Sequence, residues 1–144
     1  HADKLERARA LGADHVIDSS REDVAKAALA ATGGRGVDVV LENVGEAVWS
    51  AALKSLVRGG RLVTCGATSG DQPGADIRRL FIRQLKILGS TMSTIAELHD
   101  LLAFCQRHGV RPRIEKTYPL GEVRTALARL EAYEQFGKTA LAID

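Results

Sequence analysis

Two short stretches of this chain carry residue types and spacing suited to ligand chemistry. Gly59-Gly60-Arg61-Leu62-Val63-Thr64-Cys65-Gly66-Ala67-Thr68-Ser69-Gly70 is a β-branched run followed by a loop of small and hydroxyl residues. Leu62, Val63 and Thr64 favour a pleated, buried strand, and Gly66 to Gly70 cannot extend it. Small residues there let a flat or charged ligand come close to the backbone. The second stretch, Gly36-Val37-Asp38-Val39-Val40-Leu41-Glu42-Asn43-Val44-Gly45, is a near-continuous apolar run with a polar end. Runs of this kind suit parallel strands covered on both faces. In open α/β sheets, ligands bind at loops on the carboxyl ends of such strands. The chemistry these residues offer is positioning through backbone donors and acceptors. No constellation for general acid–base work is visible: His15 opens an expected strand, and His99 and His108 sit on or near a helix's exposed face.

The elements that must hold these loops follow in order. A helix is expected over 3–11, ended by Gly12, then a strand over His15 to Asp18. Ser19 and Glu22 have capping-box spacing, predicting a helix from there to about Ala31 with Val24, Ala28 and Ala31 inward. Thr32 to Gly36 is glycine-rich but precedes a strand, so it reads as a turn and not a phosphate cradle. An amphipathic helix over 46–58, ended by Gly59-Gly60, joins the two stretches as strand–helix–strand, and handedness then puts both loops at one end of the sheet. Asp76 can cap a short helix over 77–84. Its charges Arg78, Arg79 and Arg83, with Lys86, could mark an anion site, although a solvated face is the commoner explanation. The next strand, over 85–92, again ends in small and hydroxyl residues. Thr94 and Glu97 form a second capping box, opening a helix with Ile95, Leu98, Leu102 and Cys105 inward and Gly109 as its stop. A polar link at Arg111-Pro112-Arg113 leads to a strand over 114–118, a helix over 121–133 with Val123, Leu127 and Leu130 inward, and a last strand over 139–143.

Bulk properties bound the function class. The 144 residues are 45% apolar and 26% charged with a net charge of +2, which suits a globular domain and gives no strong attraction to nucleic acid or to membranes. No apolar run approaches a membrane span. The chain opens on charged helical residues without a signal-peptide pattern, and a cytoplasmic location is expected. It also opens inside a helix without Met, so a fragment of a longer protein is expected. Cys65 and Cys105 show no metal spacing and read as small buried hydrophobes. Trp49 and Phe104 read as core.

The stretches "DKLERARALGADHVID", "TGGRGVDVVLENVG", "LVRGGRLVTCGATSG", "RQLKILGSTM" and "FGKTALAID" occur in this order. Together they resemble the second half of medium-chain dehydrogenase/reductases, close to zinc-type alcohol dehydrogenases and NADPH:quinone oxidoreductases. The resemblance implies an α/β fold: a partial Rossmann doubly wound parallel sheet lacking its first two strands, over residues 1–110. Residues 111–144 would return to the substrate (catalytic) domain. It implies an oxidoreductase moving a hydride between a nicotinamide cofactor, NADP or NAD, and an alcohol/carbonyl or quinone/enone substrate. Any catalytic zinc ligands of the parent would lie outside this chain, which carries no catalytic or metal residue of its own. The implied cofactor contacts are Asn43, Val44 and Gly45 beside the adenosine and ribose; Gly66, Ala67 and Thr68 near the nicotinamide; Ser90, Thr91 and Met92 also near the nicotinamide; Lys4 near an adenosine 2′-phosphate; and Lys138 of a "GK" turn. Ser19 departs from the tyrosine often found there in NADPH-using members. The resemblance further implies a homodimer paired through the edge strand 86–91.

Two other readings remain at this point. "VDVVL" followed by "LVRGGRLV" also fits a class I S-adenosylmethionine-dependent methyltransferase, though that fold needs a reversed edge hairpin that the tail does not suggest. A non-catalytic Rossmann-like fragment is the other alternative, because fold alone does not fix function.

Overall fold

The computed structural model describes residues 2–143. They divide into two compact units, one up to Met92 and one from Ser93 on. The change of unit falls before the helix that follows Met92.

The first unit is built on three parallel strands in the order β1-β2-β3: β1 (Val37–Glu42), β2 (Leu56–Thr64) and β3 (Lys86–Gly89). Val39 to Glu42 pair in register with Arg61 to Thr64, and Arg61 to Thr64 pair in turn with Lys86 to Gly89. Parallel neighbours need crossover connections, and helices α3 (Glu46–Ser55) and α4 (Ile77–Arg83) supply them. Before the sheet come α1 (Ala2–Ala10) and α2 (Val24–Ala31). The core joins α3 to β2 through Ala52, Leu53, Leu56 and Leu62, with Val37, Val40, Trp49, Leu80 and Leu85 packed around it. Leu53, Leu56 and Leu62 are completely enclosed.

Local chemistry explains where the elements begin. Asp23 caps α2 by accepting from the Lys26 amide at 2.9 Å, and Asp76 caps α4 by accepting from the Arg79 amide at 3.2 Å. The expected helix from Ser19 is not formed. The Glu22 carboxylate instead accepts from the Asp18 amide, and the Asp18 carboxylate accepts from the Ser20 amide, closing a separate turn before the helix. The expected strand at His15 to Asp18 is also absent. No described strand offers it a ladder, and its last amide is taken by Glu22. The helix expected over 46–58 ends at Ser55, because Leu56 already pairs with Val37; Val57 to Gly60 then form an irregularity before the regular ladder resumes at Arg61. The Thr32–Gly36 turn is closed by the Thr32 hydroxyl, which accepts from the Gly36 amide at 2.9 Å.

The second unit holds α5 (Ile95–His108), β4 (Ile114–Pro119), a short 3-10 turn, α6 (Val123–Glu131) and β5 (Lys138–Ala142). The capping box at Thr94 and Glu97 is complete, and Gly109 closes α5 in the left-handed conformation. The apolar stripe of α5 is present but uncovered within its unit. Ile95, Leu98 and Leu102 are exposed, Cys105 is half-buried, and Phe104, expected in the core, is exposed as well. In α6 it is Ala126 that is buried, while Leu127 and Leu130 lean outward. β4 and β5 pair in parallel. The Arg129 guanidinium and the Phe136 amide both donate to the Glu115 carboxylate, at 3.3 and 3.0 Å.

The Asp23 cap ties stability to acid. The Lys26 amide donating to the carboxylate is the main cause that holds its pKa below the ordinary 3.8. A folded-state pKa below the unfolded one gives stability that is present above that ordinary value and lost as pH falls through the folded one. Asp23→Ala is expected to lower the urea midpoint clearly at pH 7, and the gap from the parent chain should narrow in acid, as pH falls below the ordinary carboxylate range. Urea melts at pH 7 and in acid check this; a gap that persists unchanged in acid would contradict it.

Candidate functional site

The carboxyl ends of β1 and β2 meet in a single knot. Glu42, the last residue of β1, is buried. Its carboxylate accepts from the Val44 amide, from the Gly45 amide at 2.6 Å and from the Thr64 hydroxyl at 3.3 Å. A buried carboxylate is tolerated only with such partners. The Val44 carbonyl is the second anchor: the Ser69 amide and the Ser69 hydroxyl each donate to it at 2.7 Å. The Glu46 amide, at the start of α3, donates to the Gly70 carbonyl at 3.0 Å, and the Ser69 hydroxyl accepts from the Ala47 amide at 3.0 Å. The loop after β1 and the loop after β2 therefore form one rigid body seated on the start of α3.

The glycines serve this contact. Gly45 sits at φ +94, and a Cβ there would lie 2.9 Å from Cα of Ala67 and still closer to the Gly70 carbonyl. A Cβ on Gly66 would lie 2.7 Å from the Asn43 carbonyl oxygen. Their smallness lets the two loops touch, where the sequence suggested that it lets a ligand approach. A branched side chain at Gly66 would thus part the loops before it met any ligand.

Of the expected contact residues, Asn43, Val44, Gly45, Gly66, Ala67 and Thr68 are brought together here. Asn43, Val44, Ala67 and Thr68 are exposed, and the amides of Ala67 and Thr68 donate to no described residue. Ser90 joins the same edge, since its amide donates to the Thr64 carbonyl at 2.9 Å. Thr91 and Met92 follow it, both exposed, with Met92 at φ +52, a conformation uncommon for a side chain of its length. Lys4 lies half-buried on α1. Lys138 opens β5 in the second unit. Glu42 was missed as a site-forming residue; the signal was an acidic side chain ending an otherwise apolar strand. Cys65, expected as a buried hydrophobe, is exposed beside the knot. An open apolar cavity of about 260 Å³ lies between α2, α3 and β1, lined by Val24, Ala28, Val40, Val44 and Val48. Among the described residues no three His, Cys, Asp or Glu side chains converge as a metal site requires, so the residues present do not fit zinc.

This arrangement has known relatives. Residues 11–141 match the family described as zinc-binding dehydrogenase, and the chain belongs to that family. A quinone oxidoreductase of Pseudomonas aeruginosa is 30% identical over 96% of this chain and 46% of its own length. An NAD-dependent alcohol dehydrogenase of Saccharolobus solfataricus is 28% identical over 95% of this chain and 40% of its own. The crystal structure of the alcohol dehydrogenase from Aeropyrum pernix superposes with a TM-score of 0.87 at 33% identity, over 99% of this chain and 41% of that one. The chain thus spans less than half the length of these relatives. The methyltransferase alternative falls on both grounds: the family is a dehydrogenase family, and the tail strands pair in parallel without a reversed hairpin.

The knot gives a direct expectation. Glu42→Ala leaves the Val44 amide and the buried Gly45 amide without an acceptor, at roughly 1–3 kcal/mol for a buried orphaned group. It should lower stability by about 2–4 kcal/mol in denaturant melts, while Glu42→Gln, which keeps one acceptor oxygen, should cost roughly half as much. Equal, negligible effects from both would remove Glu42 as the anchor.

Proposed function

We propose that the paired loops form the dinucleotide-facing surface of a nicotinamide-dependent oxidoreductase of which this chain is one part. One observation carries the reading. Two strand-end loops are locked together from below by Glu42 and the Val44 carbonyl, which leaves Asn43, Ala67 and Thr68 outward with unspent backbone donors. Such donors suit a carboxamide, ribose hydroxyls or phosphate oxygens. The names of the relatives, quinone oxidoreductase and NAD-dependent alcohol dehydrogenase, support the same class. The substrates in view are alcohols and carbonyls, or quinones and enones.

The cofactor, when bound, supplies the hydride chemistry itself. The chain's residues bind and orient. Ala67 and Thr68 offer amides to the carboxamide end, Asn43 offers its side-chain amide toward the ribose, and Ser90 to Met92 border the same edge. Rigidity from the knot fixes these groups before the ligand arrives, which is the larger part of a positioning role. Lys4 gives the reading its preference for a 2′-phosphate, through a charge-assisted hydrogen bond. In the whole protein a further strand would pair with the outer edge of β1 and fill the apolar cavity beside it. The outer edge of β3, where Ile87 and Leu88 are exposed, would pair with a second subunit.

The test is a fluorescence titration of the whole protein with NADPH and with NADH. Ala67→Asp, which sets a like charge against an anionic dinucleotide, should weaken both by about tenfold or more. Lys4→Ala should weaken NADPH alone, by about 10- to 100-fold. Unchanged affinities in Ala67→Asp would take the loop out of the site; equal effects of Lys4→Ala on both cofactors would end the 2′-phosphate assignment.

A further inference from the structure

A second charged feature lies away from the loops, on the helical face of the first unit. Lys26 of α2, Lys54 of α3, and Arg79 and Arg83 of α4 line one open depression of about 580 Å³, with Ala25 and Leu29 as its apolar floor. The sequence showed Arg78, Arg79 and Arg83 as a local run of charge. It did not show that Lys26 and Lys54, from two other helices, would join them, or that Lys86 would not. Lys54 stands in the last turn of α3, about 12 Å along the helix from the Glu46 end that abuts the loops.

The charges there are unevenly matched. The depression contains one carboxylate, Asp23, and that group is committed to capping α2. Arg79 pairs with Asp76 at its edge, with Nε and Oδ2 3.2 Å apart. Lys26, Lys54 and Arg83 form no ion pair among the described residues, and the Asp23 carboxylate feels the charge of both lysines. Both lysines are exposed, whereas Arg83 is half-buried and held: one terminal nitrogen donates to the Leu56 carbonyl at 3.2 Å, while its buried Nε has no acceptor. Three separate helices thus hold four cations around one hollow, and an anion entering it meets more positive than negative charge. Two guanidinium forks suit the oxygens of phosphate, and two ammonium groups add charge without demanding a fixed geometry. The excess of cations over acids favours a multiply charged ligand over a single carboxylate.

We propose that this three-helix depression binds a small oligophosphate anion, at a site distinct from the dinucleotide-facing loops. Its separateness from the loops rests on the oxidoreductase reading, whereas tripolyphosphate binding and its loss in the lysine variants do not.

The probe is inorganic tripolyphosphate, titrated calorimetrically into the whole protein already saturated with its dinucleotide, so that the loop site is closed to it. Binding should be saturable with a Kd below about 1 mM. The double variant Lys26→Gln/Lys54→Gln changes two exposed side chains that make no ion pair, so the fold should survive, as far-UV circular dichroism checks. It should weaken tripolyphosphate by about tenfold or more and leave the dinucleotide affinity unchanged. Lys26→Arg/Lys54→Arg, which keeps the charge, should retain binding. No heat of binding up to about 10 mM, or tripolyphosphate affinity unchanged in the double Gln variant, would overturn the site. So would equal losses for tripolyphosphate and dinucleotide, which would mean a single shared site.

Discussion

The buried carboxylate of Glu42 is the contact on which the rest of this surface depends. A strand that ends in the interior leaves amides needing acceptors, and the chain meets that need with one side chain instead of water. Glu42 accepts from the amides of Val44 and Gly45 and from the Thr64 hydroxyl across the ladder. That bond fixes the direction in which Val44 leaves the sheet, and the Val44 carbonyl then receives Ser69 from the neighbouring loop. Gly45 and Gly66 are required because the loops so placed leave no room for a Cβ. The register of β1 against β2, Glu42 opposite Thr64, is what brings carboxylate and hydroxyl together. A slip of one residue would turn the carboxylate to the other face of the sheet.

Much of this was legible in the amino-acid sequence, and the division is physical. The run Val37 to Glu42 suits a parallel strand, and the caps at Asp76, Thr94 and Gly109 depend on local bonds alone, so they emerge as expected. The residues Asn43 to Gly45 and Gly66 to Thr68 were found as a pair because strand ends in α/β folds are where polar and small residues collect. What sequence could not supply was decided by partners distant in the chain. Leu56 joins the sheet because Val37 lies beside it, despite the helical pattern running on to Arg58. His15 to Asp18 fails to become a strand because a strand exists only with a neighbour. Ser19 and Glu22 have capping-box spacing, yet Glu22 bonds Asp18 and Asp23 takes the cap. The apolar stripe of α5 is correctly periodic, but periodicity says which face is apolar and not whether anything covers it.

Family membership and physics meet at the loops. The zinc-binding dehydrogenase match runs through both stretches that carry the knot, while no described cluster of side chains could hold zinc. The chain's rigid loop pair needs no rearrangement to present amides outward, and preorganised donors cost little when a ligand arrives. The open edge of β1 and the apolar cavity beside it have the shape and chemistry of a place for more sheet, in keeping with a chain that spans less than half the length of its relatives.

The most direct measurement is amide hydrogen exchange of the whole protein with and without NADPH. The account predicts slowed exchange at residues 43–45, 66–68 and 90–92 together, with the strands beneath unchanged because they are already protected. Protection confined to other segments, or none at the two knotted loops under saturating cofactor, would contradict it.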